Sequence, residues 1–362
     1  MNKKLLAIGI AAALAAPFAA QAGVEVYGEA RVSVDYVNNN AVSPNEDTKV
    51  GLSSNTSYIG FRGDEDLGNG LSALWQFEQG VQFDSAGAGN NGFGTTNVDS
   101  QTFVALAGGF GTVLAGKLNT PYQSSTQSMD IFANTVADYN AIMGMNHDLL
   151  VNNTLAYVTP DLNGFTGAVA YILSNAVGSD NLPQTSITTD QDAYSLSGNY
   201  MNGPLSVVAA YESLNKLGSG AGAAGAKDAT AWKLGGTYTI MDATTLGLIY
   251  ENTDLGGTVA DQNAYYLDVA HKMGDTTLKL AYAKIDDCGG TNCNNTGGSQ
   301  VSVGVSQALS KNTEVYALYT QVGNDANAGY GLISDTGLGS TPVTGQDMSA
   351  ISLGINHAFS SK

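Results

Sequence analysis

The sequence predicts an all-β protein: a transmembrane antiparallel β-barrel of sixteen strands, with short periplasmic turns and long extracellular loops. Three observations lead there. Apolar and polar residues alternate with period two in segment after segment. Short turns alternate with long polar loops. Beyond residue 22 no stretch approaches the roughly 18 consecutive apolar residues of a membrane helix.

The first segment sets the pattern. Val24, Val26, Gly28, Ala30, Val32, Val34 and Tyr36 share one face of a strand, and Glu25, Tyr27, Glu29, Arg31, Ser33 and Asp35 share the other. A helix would mix the two sets. In residues 71–83, Leu71, Ala73, Trp75, Phe77, Val81 and Phe83 oppose Ser72, Gln76, Glu78 and Gln82. The same rhythm marks 163–173, 205–211, 232–238, 246–250, 265–269, 278–282, 301–305, 315–319 and 351–355. Tyr often closes the apolar stripe, as at Tyr171, Tyr211, Tyr250, Tyr282 and Tyr319, which suits rings seated at a membrane–water interface.

Short turns are expected at Asp66–Gly70, Gly108–Gly111, Pro160–Gly164, Asn202–Pro204, Met241–Ala243, Met273–Asp275 and Ser310–Asn312. Between them lie long polar stretches at 38–49, 84–100, 119–151, 175–191, 215–229, 254–262, 286–298 and 323–347. Seven turns and eight loops join sixteen strands. In hydrocarbon every backbone N–H and C=O needs a partner within the protein, so the sheet must close. A barrel this wide leaves an aqueous lumen, whereas about eight strands are filled by their own side chains.

Composition agrees with this reading and excludes several classes. The 362 residues include 45 Gly and only 7 Pro, and 43% are hydrophobic, too many for a disordered acidic chain. Lys plus Arg number 14 against 32 Asp plus Glu, a formal charge of −18 that argues against a nucleic-acid partner. Two Cys cannot build a disulfide scaffold or a four-Cys metal site. At the N-terminus, Lys3-Lys4, an apolar run from Leu5 to Ala16 and Ala20-Gln21-Ala22 read as a secretory signal at 1–22, leaving 23–362 as the mature barrel.

Several further residues carry chemistry in principle. Arg31, Arg62, Lys233 and Lys279 have the inward phase, as do Glu25, Glu29, Glu78, Glu212, Glu251 and Glu314. A Lys or Arg facing mid-bilayer lipid costs roughly 2–4 kcal/mol, and that difference sets the phase. Cys288 and Cys293 lie in one loop, and in an oxidising compartment a local disulfide is expected. His147, His271 and His357 are scattered, so no metal site is expected. Gly220, Gly222 and Gly225 fit a dinucleotide fingerprint, but without a βαβ unit around them they read as a flexible loop. Neither a cofactor nor catalysis is expected, since no nucleophile or zinc-protease motif occurs.

Several stretches resemble the Gram-negative general porins. They include Val24-Glu25-Val26-Tyr27-Gly28, Gly60-Phe61-Arg62-Gly63-Asp64-Glu65-Asp66-Leu67-Gly68-Asn69-Gly70-Leu71 and Gly116-Lys117-Leu118-Asn119-Thr120-Pro121. The stretch from Leu309 to Tyr319 and the closing Leu353-Gly354-Ile355-Asn356-His357-Ala358-Phe359 add to the likeness. The resemblance implies sixteen-stranded homotrimers in contact with outer-membrane lipid and lipopolysaccharide, with the third loop, 119–151, folded into the lumen. It implies that Lys117 faces inward and that Asp130 and Asp138 of that loop reach the pore constriction with Arg31, Arg62 and Glu78. Family members often carry Arg at the positions of Tyr58, Gln101, Lys117 and Ala156, of which only Lys117 is basic here. Phe359 is followed by Ser360-Ser361-Lys362 where the family usually ends on an aromatic residue. The function expected is a general diffusion channel for ions and small hydrophilic solutes, cation-preferring because acids outnumber bases. The alternative is a substrate-specific channel with a saturable site.

Overall fold

A computed structural model of the protein describes residues 23–38, 48–84, 100–144, 147–173, 192–215, 228–256, 259–290, 293–333 and 342–361. The expected signal at 1–22, the glycine fingerprint at 220–225 and much of the long loops lie outside the described residues.

Sixteen crossings form one closed antiparallel sheet. They are β1 (Glu25–Asn38), β2 (Thr48–Ser54 with Tyr58–Gly68), β3 (Leu71–Gly80), β4 (Thr102–Gly108), β5 (Gly111–Asn119), β6 (Leu150–Val158), β7 (Phe165–Ile172) and β8 (Ala193–Asn202). The rest are β9 (Leu205–Leu214), β10 (Ala229–Ile240), β11 (Thr244–Asp254), β12 (Gln262–Met273), β13 (Thr276–Ile285), β14 (Gly298–Ala308), β15 (Thr313–Asn324) and β16 (Met348–Ser360). Both pieces of β2 pair with β1, and the break between them falls at Asn55–Ser57, where Thr56 has a φ of 53°. The ring closes through β1 and β16, in register from Tyr27 opposite Ser360 to Asn38 opposite Ser349. Ser361 extends the closure, donating its N–H to the Val26 carbonyl at 2.9 Å. No sheet edge is left to hydrocarbon.

The burial pattern is inverted relative to a water-soluble protein. Leu234 is 51% exposed while its neighbour Lys233 is 1% exposed, and Leu353 is 59% exposed beside a fully buried Ser352. Leu248, Leu267 and Leu280 repeat the outward stripe on adjacent strands: Leu248 of β11 stands opposite Leu267 of β12, and Leu280 of β13 opposite Val269 of β12. Alternation with the apolar face outward is the signature of a barrel solvated by lipid. At one end of this face, rings of neighbouring strands meet, Trp232 with Tyr250 at 5.1 Å and Tyr250 with Tyr265 at 5.2 Å between centroids.

Short turns sit where the sequence places them. Asn69 and Gly70 join β2 to β3 with φ of 54° and 76°, left-handed values that Asn and Gly adopt most readily. One strand is shorter than expected: the stripe read through residue 83 stops at Gly80. Beyond it the Val81 N–H bonds the Ser57 carbonyl at 2.7 Å, one rung on from Gly80 opposite Tyr58, and Asp84 accepts from the Ser54 N–H, so the regular strand ends where it meets the break in β2.

Leu267 faces outward near the middle of β12, so Leu267→Arg should destabilise the barrel in lipid vesicles by roughly 2–4 kcal/mol. Denaturant unfolding from vesicles measures the loss. The same change placed at Met273, beside the turn, should cost far less if the outward face meets lipid.

Candidate functional site

The long connection from β5 to β6 is a folded element with its own small core. Thr120 caps a single helical turn, α1 (Pro121–Thr126), by accepting the Gln123 N–H at 3.2 Å, and Pro121 opens that turn where its missing N–H has no partner to lose. Period-two reasoning could not anticipate this turn; the Thr-Pro pair was its only signal. Thr120 N–H bonds the Leu149 carbonyl at 2.9 Å and ties the base of the segment.

Segment 120–149 packs on the inward-facing side chains of the later strands. Met129, Phe132, Val136, Ile142 and Met143 join one cluster with Val208, Ile249, Tyr266, Ala281 and Leu318 of the wall. Glycines on the wall make room: a Cβ at Gly235 would lie 2.9 Å from Met129 Sδ, and one at Gly304 would lie 2.8 Å from the Phe132 ring. Polar tethers complete the contact. Ser195 Oγ accepts the Tyr122 N–H at 2.9 Å, and Glu251 accepts the Gly144 N–H at 3.0 Å. Lys233 Nζ lies 2.7 Å from Asp148 Oδ1 and 4.0 Å from the centre of the Tyr122 ring. His147 Nδ1 stands 3.4 Å from Glu212 Oε1, both side chains fully buried. The Lys233–Asp148 ion pair, sealed beneath the segment, adds little net stability, but losing one partner is costly because the other charge stays buried.

The opposite wall stays open. An opening of about 230 Å³ lies between the segment and β1–β5. Tyr27 and Arg31 of β1, Tyr58 and Arg62 of β2, and Gln76 and Glu78 of β3 line it on one side. Gln101 and Asn119 line it at the ends of β4 and β5, and the segment contributes Gln127 and Asn134. The charges are held by neighbours. Arg62 Nε donates to Glu25 at 2.9 Å and its guanidinium lies 4.6 Å from the Tyr27 ring centre. Arg31 pairs with Glu29 and donates to Thr56 Oγ1 at 3.1 Å, and the Thr56 hydroxyl donates to Asn134 Oδ1 at 2.6 Å. Glu78 accepts the Tyr27 hydroxyl at 2.6 Å and the Gln101 N–H at 2.8 Å.

Of the six residues expected at the constriction or facing into the lumen, Arg31, Arg62 and Glu78 meet at this opening, and Lys117, Asp130 and Asp138 do not line it. Asp130 is buried against the wall. It accepts the Phe132 and Tyr139 N–H groups and the Tyr266 hydroxyl, at 2.8, 3.1 and 3.0 Å, while burial pushes its carboxyl above the ordinary carboxylate range. Asp138 caps the turn Tyr139–Ala141 and accepts the Asn134 and Asn140 N–H groups, both at 2.9 Å. Both acids thus shape the segment and neither lines the opening. Lys117 needs a firmer correction. It pairs with Thr102, Thr102 with Phe77, and Phe77 with Phe61. Residues directly opposite share a face, and Phe61 and Phe77 are exposed on the outer one. Lys117 therefore belongs to the outward row, not the inward one that the resemblance implied. Tyr58 and Gln101, uncharged at positions where arginine is common in the resembled family, both line the opening.

Sequence reasoning did not single out Tyr27, Gln76, Gln101, Asn119, Gln127 or Asn134 as lining the opening. Gln76 and Tyr27 carried a usable signal, being polar or amphipathic at inward positions; the loop amides carried none. Cys288 and Cys293 are joined in a disulfide in the loop after β13, away from the opening. Among the described residues no cluster of His, Cys, Asp and Glu is disposed to hold a metal ion.

A family model described as Gram-negative porin matches residues 7–327. The chain belongs to the Gram-negative porin family. The porin is 29% identical to outer membrane porin protein 32 of Delftia acidovorans, over 99% of this chain and all of that one. It is 33% identical to major outer membrane protein P.IB of Neisseria gonorrhoeae over 56% of this chain and 54% of that one. Its fold matches the solved anion-selective porin from Comamonas acidovorans with a TM-score of 0.71 at 24% identity, over 94% of this chain and 100% of that one. As a porin it is a channel protein of the Gram-negative outer membrane, and the opening beside segment 120–149 is its candidate pore.

Lys233→Met should leave Asp148 buried without its cation, at a cost of about 3–5 kcal/mol concentrated in the docking of the porin's segment 120–149. The barrel should still assemble. Limited proteolysis should then cut within the segment in the variant and spare it in the parent.

Proposed function

We propose that this porin is a trimeric, water-filled diffusion channel that passes ions and small hydrophilic solutes down their gradients. Segment 120–149 narrows the lumen to one side. The observation that carries this reading is the opening left between that segment and β1–β5, lined almost entirely by polar side chains. A barrel closed against lipid and open within is suited to passive permeation, with selectivity governed by width and by the groups that line the narrow part.

Its ion preference is for cations, and modest. Two arginines and one glutamate line the opening, and the arginines are paired with Glu25 and Glu29, so carboxylates outnumber guanidiniums by one in the group as a whole. The acids of segment 120–149 contribute little to the opening, because Asp130 and Asp148 are packed against the wall. The relative named as anion-selective shares 24% of its sequence with this chain, and its selectivity describes that protein.

Reversal potential across a planar bilayer in a KCl gradient tests the preference. A cation-signed potential is expected, and Glu78→Gln should lower the potassium-to-chloride ratio roughly twofold, the effect of one charge about 8 Å away through a water-like dielectric screened by salt. An anion-signed potential in the parent channel would overturn the preference. Conductance that saturates with one solute would favour a substrate-specific channel instead.

A further inference from the structure

Five carboxamides line the opening: Gln76, Gln101, Asn119, Gln127 and Asn134. Each amide offers an acceptor oxygen and two N–H donors without net charge. Asn119 is 3% exposed, and its Oδ1 has no hydrogen-bond partner among the described residues. Its backbone N–H is held at 3.1 Å by Gln101 Oε1, which fixes both residues at the rim.

Both arginines around these amides are matched by carboxylates of the wall, which leaves one net negative charge, on Glu78. Arg31 is matched by Glu29 and Arg62 by Glu25, while both oxygens of Glu78 accept hydrogen bonds from Tyr27 and Gln101. Across the opening, segment 120–149 presents Gln127 and Asn134 to the arginines. Its carboxylates point elsewhere: Asp130 to Tyr266, Asp138 to backbone N–H groups of its own turn, and Asp148 to Lys233. Among the described residues of the segment, no carboxylate stands opposite Arg31 and Arg62 in the opening. An anion entering there meets arginines already matched by Glu25 and Glu29, and a cation meets only Glu78, whose oxygens already accept hydrogen bonds, so neither ion regains in full the hydration it sheds. A hydroxylated solute can exchange water hydrogen bonds for amide ones.

Resting on the channel reading above, we propose that the opening selects more by hydrogen bonding than by charge, and that its preferred solutes are small, uncharged, polyhydroxylated molecules of the monosaccharide class. The opening of about 230 Å³ is smaller than the roughly 300–1,000 Å³ of sites for drug-sized ligands, which favours small members of the class.

Swelling of proteoliposomes carrying the full chain tests this with glucose, gluconate and glucosamine, three solutes of similar size and different charge. Glucose should enter several times faster than either charged analogue. The double variant Gln127→Glu with Asn134→Asp places two carboxylates opposite the arginines. It should raise the potassium-to-chloride permeability ratio about fourfold, the effect of two charges through a water-like dielectric screened by salt, and should remove the advantage of glucose over glucosamine. If the double variant does not assemble, Gln127→Glu alone is read in the same way with about a twofold change. Entry of glucose no faster than that of both analogues, in a channel that conducts KCl, would overturn the proposal and leave the channel reading standing. An unchanged ion ratio in a conducting variant would also overturn it. Absence of any KCl conductance in the parent would instead sink the channel reading itself.

Discussion

The backbone's need for hydrogen bonds in a solvent that offers none governs this molecule. An open sheet in hydrocarbon would expose a row of unpaired N–H and C=O groups along each edge, at several kcal/mol per group. The twelve residue pairs that join β1 to β16 remove that edge. Closure then dictates the side-chain pattern. Every strand has one face to lipid and one to the interior, so Leu234 and Lys233 can be sequence neighbours with opposite solvents. Net hydropathy stays near zero, at −0.04, although the outer surface is greasy, because each apolar residue alternates with a polar or small one.

A ring of sixteen strands is too wide for its own side chains to fill. Segment 120–149 fills part of it, and does so asymmetrically. It carries Phe132, Ile142 and Met143 onto the walls of the later strands and seals Lys233 with Asp148 and Glu251 with the Gly144 N–H beneath it. The opening forms against part of the first five strands, while Val37 of β1 joins the core beneath the segment. The packing of one loop thus divides the inner wall into a dry half and a wet half. Inward charges on the dry half hold the loop; those on the wet half meet the solute.

That division explains which parts of the site were legible before the structure. The inward phase of Arg31, Arg62 and Glu78 follows from alternation and from the cost of placing charge in lipid, and all three line the opening. Asp130 looked equally suited to a constriction, since it is an acid in the right loop. Its donors, the Phe132 and Tyr139 N–H groups and the Tyr266 hydroxyl, come from residues 2, 9 and 136 positions away, and only folding brings the last of them near. Lys117 was assigned by likeness, and the pairing register with Thr102 and Phe77 decides its face. Where assignment rested on period two it identified faces; where it rested on likeness it did not survive the register.

By itself, the sequence determined the strands, their phase, the alternation of turns and loops, and therefore a barrel spanning a membrane. These are properties of neighbours two residues apart, and a one-residue slip would turn each stripe to the wrong solvent. Only the tertiary structure decided which inward polar groups face water and which are shut beneath segment 120–149. That outcome depends on contacts between residues as distant as Thr56 and Asn134, or Asp148 and Lys233, for which local pattern holds no information.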